Sequence, residues 1–316
     1  MKHIFIINPR AGKEKENLSV RVRSYIASHP ELGALVFDTE YVGHETVLVQ
    51  RLCHIFEDET IRLIICGGSG SLCRAVSGIS NFSMVEVAFF PCGMTNDFLK
   101  VFEGEVEAFS NMDTLIAGTP MYLDVMDFGL GKALNFCSVG FEAKVASDVN
   151  SLSRFSIVGT KIPYLLSIIR NSVFNVSSQY SIMVDGQEIM GRKSSITAFN
   201  GICYGGSYSP VQNASPVSGK VKLLLADSLS FFSLLPGIGA YRRGELSKLG
   251  KSVRVIDPSE ISIKLAGNKN MMFTADGESF ELDKHETALS IRVLPTTLKF
   301  VVPSGVALKE QCREGE

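Results

Sequence analysis

Leu63-Ile64-Ile65-Cys66-Gly67-Gly68-Ser69-Gly70-Ser71-Leu72 runs from an apolar stretch, through three glycines, into a segment whose apolar residues Leu72, Ala75, Val76 and Ile79 recur at helical spacing. A short apolar run bounded by glycine suits a strand buried on both faces. The turn that follows can do chemistry. Glycines let main-chain N–H groups approach an anion, and the start of the next helix adds a partial positive charge. The plain alternative is a tight strand-to-helix turn with no ligand. The spacing is not GxGxxG, because Cys73 stands at the last glycine position. Gly12-Lys13 is followed by Glu14 and Gly219-Lys220 by Val221, so no Walker sequence is present and dehydrogenase and P-loop readings lose support.

The same alternation extends outward on both sides. Residues 4–7, 34–37 and 85–90 are further short apolar runs, and Leu18, Val22, Tyr25 and Ile26, then Val47, Val49, Leu52 and Phe56, repeat at helical spacing. Strands alternating with helices predict a parallel sheet covered by helices. Asn8-Pro9-Arg10-Ala11-Gly12 leaves the first strand and Pro91-Cys92-Gly93-Met94-Thr95-Asn96-Asp97-Phe98 the fourth, both at the sheet edge where open α/β sheets bind ligands. Each has a bland reading: an Asn-Pro turn for the first, a helix cap for Asp97. The convergence of three such loops outweighs any one of them.

Near residue 122 the period changes to two. Tyr180, Ile182 and Val184 precede an Asp185-Gly186 hairpin turn, and alternation returns at Ile261, Ile263, Leu265, at Leu289, Ile291, Val293 and at Leu298, Phe300, Val302. This half reads as antiparallel β, with helical interruptions at residues 161–172 and 229–235. The expected architecture is α/β plus β: an N-terminal parallel-sheet domain and a mostly antiparallel C-terminal domain, packed together with a cleft between them. The change of period places one boundary, near residue 122.

Composition bounds the function. The 316 residues are 45% apolar and 20% charged, enough to bury a core and too apolar for disorder to dominate. Lys plus Arg total 31 against 33 Asp plus Glu, a formal charge of -2 that leaves no footprint for nucleic acid. Seven cysteines without a CxxC pair give neither a zinc site nor a disulfide framework, and reduced thiols in a cytoplasm are expected. The apolar residues 4–7 are too few for a signal-peptide core, and no run approaches the ~18 apolar residues of a spanning helix. The expectation is a cytoplasmic chain, at most peripheral to a membrane.

Phe273-Thr274-Ala275-Asp276-Gly277-Glu278 lies between two strand-like runs of the second half. It reads either as an Asp-Gly hairpin with a solvated glutamate or as carboxylates facing a nucleotide, able to accept a hydroxyl proton or hold a metal ion. Asp124 and Asp127, near the junction, are weaker candidates of the same kind.

Taken together, these segments resemble the diacylglycerol kinase catalytic-domain family, which includes bacterial lipid kinases and sphingosine kinases and is distantly related to NAD kinases. Asn8 to Gly12 resembles the family's NPxSG, Thr39 with Gly43-His44 its TxxxGHA, Gly67 to Ser71 its GGDGT and Pro91 to Phe98 its PLGTxNDF. Asn135 with Gly140-Phe141-Glu142-Ala143, Asn200 with Gly205-Gly206, and Asp276-Gly277-Glu278 are similar to its N...GfDA, N...GG and DGE. The resemblance implies an N-terminal parallel-sheet nucleotide-binding domain, 1–122 plus about 297–316, and a C-terminal β-sandwich domain, 123–296, with the active site in the cleft between them. It implies ATP bound by the first domain, a lipid acceptor bound by the second, and Mg²⁺ offsetting phosphate charge. It implies Asp276 and Glu278 as catalytic base and electrostatic partner. Asn8, Pro9, Gly12, Thr39, Gly67, Gly68, Ser69, Gly70, Ser71, Gly93, Thr95, Asn96 and Asp97 would surround the nucleotide, with Asp97 and Asp124 as metal ligands.

The departures fall on the charged positions. Ser69 stands for the aspartate of GGDGT, Arg74 for the acidic residue three positions beyond the motif, Met94 for the threonine of PLGT, and Ser218 for the aspartate of the structural-metal position. Glu45 and Asp124 are the carboxylates that could compensate. Three readings stay open: an ATP-dependent lipid kinase for a diacylglycerol-like acceptor, a non-catalytic nucleotide- or lipid-binding relative, and a kinase for a soluble hydroxyl. Phe231, Leu234 and Leu235, followed by Arg242-Arg243, either touch a membrane or pack on the sandwich, and the second is preferred because the segment lacks a basic face. A homodimer is a further expectation.

Overall fold

The structure, a computed structural model, describes residues 1–12, 17–93, 95–140, 177–227, 231–267, 269–285 and 288–313. The expected helix at 161–172, the motif residues Phe141, Glu142 and Ala143, Met94, and the side chains of Phe231, Leu234 and Leu235 lie outside the described residues.

The first half is built on four parallel strands, β1 (Lys2–Ile7), β2 (Leu35–Asp38), β3 (Ile61–Gly67) and β4 (Val85–Pro91), in the order β2-β1-β3-β4. All seven residues of β3 and Ile4 to Ile7 of β1 are buried, as runs without alternation require. Helices α1 (Asn17–Ser28), α2 (His44–Ile55) and α3 (Ser69–Ser77) connect them. Helix α2 buries Leu48, Val49, Leu52 and Cys53, and α3 buries Leu72, Cys73, Ala75 and Val76. A parallel sheet places the C-terminal ends of β1, β3 and β4 on one edge, which fixes where the three polar loops meet.

The second half is antiparallel. It is formed by β5 (Thr119–Asp127), β6 (Lys132–Ala133), β7 (Phe136–Gly140), β8 (Ser178–Val184), β9 (Gln187–Phe199), β10 (Lys222–Asp227), β11 (Val253–Ile256), β12 (Glu260–Leu265), β13 (Met271–Ala275), β14 (Glu278–Leu282) and β15 (Leu289–Val302). Both Asp-Gly hairpins form as the sequence predicts. Asp185 and Gly186 have φ of 46° and 84°, Asp276 and Gly277 φ of 49° and 87°, the positive pairs that match the twist of the flanking strands. Phe273 stacks on Phe280, and Phe128 meets both edge-on, in a second core separate from that of the parallel sheet. The helix Phe231–Arg242 corrects the expected 229–235: it continues through Pro236 and Gly237.

Strand β15 joins the halves. Leu289 to Arg292 pair with β12, whereas Lys299 and Phe300 lie parallel to Glu86 and Val87 of β4. Between them the register against β5 shifts from Leu294 to Leu298, and Thr296 adopts a φ of 48°. Phe300, fully buried, anchors the far end against Phe98 and Phe102, at 5.6 and 5.7 Å between ring centres.

Candidate active site

The loops after β1, β3 and β4 touch one another. The Asn8 side-chain amide donates to Ser71 Oγ at 2.8 Å, its N–H to the Cys66 carbonyl at 2.9 Å, and the Cys92 N–H to the Gly67 carbonyl at 2.7 Å. The glycines are needed for these approaches. A Cβ on Gly67 would stand 2.7 Å from Ser71 Cβ, one on Gly93 2.7 Å from Gly68 Cα, and one on Gly12 3.2 Å from the Cys92 carbonyl oxygen. Pro9 follows Asn8 in the first of these loops, and Thr39 is buried at the end of β2, its N–H donating to Ile7 at 2.8 Å. Gly68 caps α3 without a side-chain bond, and Ser69 begins the helix.

The β13–β14 hairpin brings the second half onto this edge. Asp276 is buried and its carboxylate is fully engaged: Oδ2 accepts from Leu134 N–H at 2.7 Å, and Oδ1 from Asn135 and Phe136 N–H, each at 2.9 Å. Burial pushes its carboxyl up from the usual 3.8 to about 6, the three N–H donors pull it down, and the nearby Glu278 charge adds to the rise. Two residues on, Glu278 reaches back to α3. Its Oε1 lies so close to Gly70 that a Cβ there would be 2.2 Å away. It is held by Arg74 Nη1 at 2.7 Å. Arg74 in turn forks onto Glu45, Nε to Oε2 at 3.0 Å and Nη2 to Oε1 at 3.1 Å. Glu45, on the first turn of α2, is 1% exposed. Burial works against the charge of Arg74, but the two carboxylates outweigh it and raise its pKa.

Asp97 sits where the β4 loop meets the second half. Its Oδ1 accepts from Lys100 Nζ at 2.8 Å and its Oδ2 from Gly206 N–H at 3.0 Å, while Lys100 also reaches the Gly206 carbonyl at 2.6 Å and Cys203 Sγ at 3.3 Å. Asn96, at a φ of 44°, donates to the Gly93 carbonyl at 3.0 Å, and Thr95 is exposed beside Gly206. Asp124 is elsewhere: fully buried under the β15 bend, it accepts from Gly219 N–H at 2.6 Å and Thr296 N–H at 2.8 Å. Ser218 Oγ donates to carbonyls of its own loop, at 3.1 Å to Ser215 and 2.9 Å to Lys220. Sequence reasoning missed Lys100 and Cys203. Lys100 carried a faint signal in its i,i+3 spacing from Asp97, and Cys203 carried none.

Comparison with known proteins decides what these loops belong to. Residues 2–128 match the model of the diacylglycerol kinase catalytic domain, and residues 135–302, more than half the chain, match that of the YegS C-terminal NAD kinase beta sandwich-like domain. The chain belongs to the diacylglycerol kinase family. A Staphylococcus haemolyticus protein named "Putative lipid kinase" is 27% identical over 240 residues, 76% of this chain and 75% of its own. A Staphylococcus carnosus protein of the same name is 23% identical over 243 residues, 75% of each chain. Among solved structures, a diacylglycerol kinase of Bacillus anthracis superposes with a TM-score of 0.65 at 19% identity, covering 97% of this chain and 98% of that one, and so shares the fold.

Membership in the diacylglycerol kinase family implies Mg²⁺, and the donor set does not fit a protein-held ion. The carboxylates of Asp97, Asp124 and Asp276 are each taken by N–H donors or Lys100, that of Glu278 by Arg74, and Ser69 brings no charge. Among the described residues no group of three or more His, Cys, Asp or Glu could hold a metal ion. Among them, too, no helix is long and apolar enough to cross a membrane.

Proposed function

We propose that the chain is an ATP-dependent lipid kinase, transferring the γ-phosphoryl group to the hydroxyl of a diacylglycerol-like acceptor. The observation that carries this reading is the contact of three glycine- and asparagine-bearing loops, at the ends of β1, β3 and β4, with the hairpin that bears Glu278. The loops supply main-chain N–H groups and the start of α3 to a polyphosphate. Two observations favour Glu278 as the proton acceptor: its side chain is 33% exposed, and Arg74 Nη1 holds Oε1 at 2.7 Å. The hydroxyl oxygen bonds to the γ-phosphorus, the bond to the β–γ bridging oxygen breaks, the hydroxyl proton passes to Glu278 and ADP leaves. Asp276 supports that step from behind, by fixing the chain at Leu134 to Phe136 against which the hairpin is seated.

A second reading, a relative that binds nucleotide or lipid without turnover, is favoured by one observation: the cleft carboxylates are committed to protein partners. One experiment separates the two. Incubation with γ-labelled ATP, magnesium chloride and a total lipid extract, beside Glu278→Gln, is expected to place label in the organic phase for the wild type and at least about 100-fold less for the variant. Label in neither phase, from folded protein, supports the second reading. Label confined to the aqueous phase points to a soluble acceptor instead.

A further inference from the structure

We propose that Arg74 is the residue that positions Glu278 for transfer, and that Glu45 positions Arg74. This rests on the lipid-kinase reading and adds to it a positioning pair from the first half of the molecule. Arg74 is fixed at both backbone and side chain before it meets Glu278. Its carbonyl accepts from Thr46 Oγ1 at 2.8 Å, and its guanidinium fork is filled by the buried Glu45 carboxylate. Helices α2 and α3 lie close enough for this because Gly78 ends α3: a Cβ there would stand 2.5 Å from the Thr46 carbonyl oxygen. The third nitrogen, Nη1, is left to reach across the cleft to Glu278 Oε1 at 2.7 Å.

Geometry makes arginine the residue that can do this. A planar fork occupied on one edge by a carboxylate has its remaining nitrogen in a set direction, whereas an ammonium on a flexible stem has none. Glu278 gains its orientation from that nitrogen, since it is a partly exposed side chain at the start of the short strand β14. The pairing also balances charge. Two carboxylates without Arg74 would face the phosphate loop, and like charge there would oppose an incoming polyphosphate.

The test is a double-mutant cycle on phosphoryl transfer to the lipid acceptor. Arg74→Met is expected to lower kcat at least about 30-fold with the KM for ATP changed less than about threefold, because a misplaced base costs the transition state more than nucleotide binding. Arg74→Met/Glu278→Gln is expected to be no slower than Glu278→Gln alone, since Arg74 acts through Glu278. A purely structural Arg74 would instead give losses that multiply. Arg74→Met leaves Glu45 buried without its partner, so Glu45→Gln/Arg74→Gln, which removes both charges at similar volume, is carried through the same cycle and its melting temperature recorded. Retention of kcat within about threefold in the folded double variant, or multiplicative losses with Glu278→Gln, overturns the proposal and leaves the kinase reading standing. A wild type that transfers phosphate to no acceptor overturns both.

Discussion

At the scale of single residues, Asp276 was legible as half of a hairpin turn and illegible as a buried acceptor of main-chain N–H groups. The Asp-Gly pair was legible as a hairpin because a left-handed turn needs such residues, and Asp276 does adopt a φ of 49°. A carboxylate that only faced the cleft as a base could be replaced by asparagine without touching the fold. The structure argues otherwise, because the carboxylate accepts three main-chain N–H groups. Asparagine tolerates the backbone angle, but one of its two oxygens has become an NH₂ that faces a donor. Urea unfolding at pH 7 should therefore find Asp276→Asn less stable than wild type by about 1–3 kcal/mol, and an unchanged midpoint would sink this account. The pH dependence has a definite sign. A carboxyl raised to about 6 contributes stability that is fully present below its usual pKa and is lost as pH rises through about 6. The stability gap between wild type and Asp276→Asn should thus be wider at pH 4 than at pH 7, by up to about 3 kcal/mol.

At the scale of elements, the loop leading into α3 was legible as a place where something must approach the backbone closely. What approaches is protein as well as any ligand. Ser71 closes on Gly67, Gly93 on Gly68 and Glu278 on Gly70. These contacts predict two different outcomes for the same kind of substitution. At Gly70 the atom in the way is the end of a flexible side chain, so Gly70→Ala should fold with a melting temperature close to wild type, helped by alanine's helix propensity, while displacing Glu278 and reducing phosphoryl transfer at least about tenfold. At Gly93 the obstacle is the Gly68 backbone, and Gly93→Ala should lose stability as well as activity. Thermal melts of the two variants, set beside their transfer rates, check both; equal melting temperatures would contradict the distinction. The hydrogen bonds of Asp97 were not legible at this scale, because Gly206 and Cys203 lie on a loop of the other half, more than a hundred residues along the chain.

At the scale of the whole molecule, β15 makes the two halves one continuous structure, pairing with β12 at its start and β4 near its end. Asp124 holds the bend between those pairings through Thr296. It thereby ties the junction of the two halves together. With Asp97, Asp276 and Glu278 also committed, nucleotide-free protein titrated with Mn²⁺ should leave the free-ion electron paramagnetic resonance signal undiminished. Stoichiometric loss of that signal would show that one of these carboxylates leaves its partner for the ion.

What the sequence determined by itself was the order of elements and the edge on which the loops gather. Apolar runs without alternation set the parallel strands, two-residue alternation set the antiparallel ones, and parallel pairing forces the loops after β1, β3 and β4 to one side. These signals are local, carried within a few residues of each other. What tertiary structure alone decided was the charge arrangement of the cleft. Arg74 could be seen in the sequence as a reversed charge, but its two partners lie 29 residues before it on α2 and on a hairpin of the other half. Ion pairs have no periodicity to read. Whether a charge is balanced depends on which side chains the fold brings within about 3 Å, and that distance exists only once the two halves are packed.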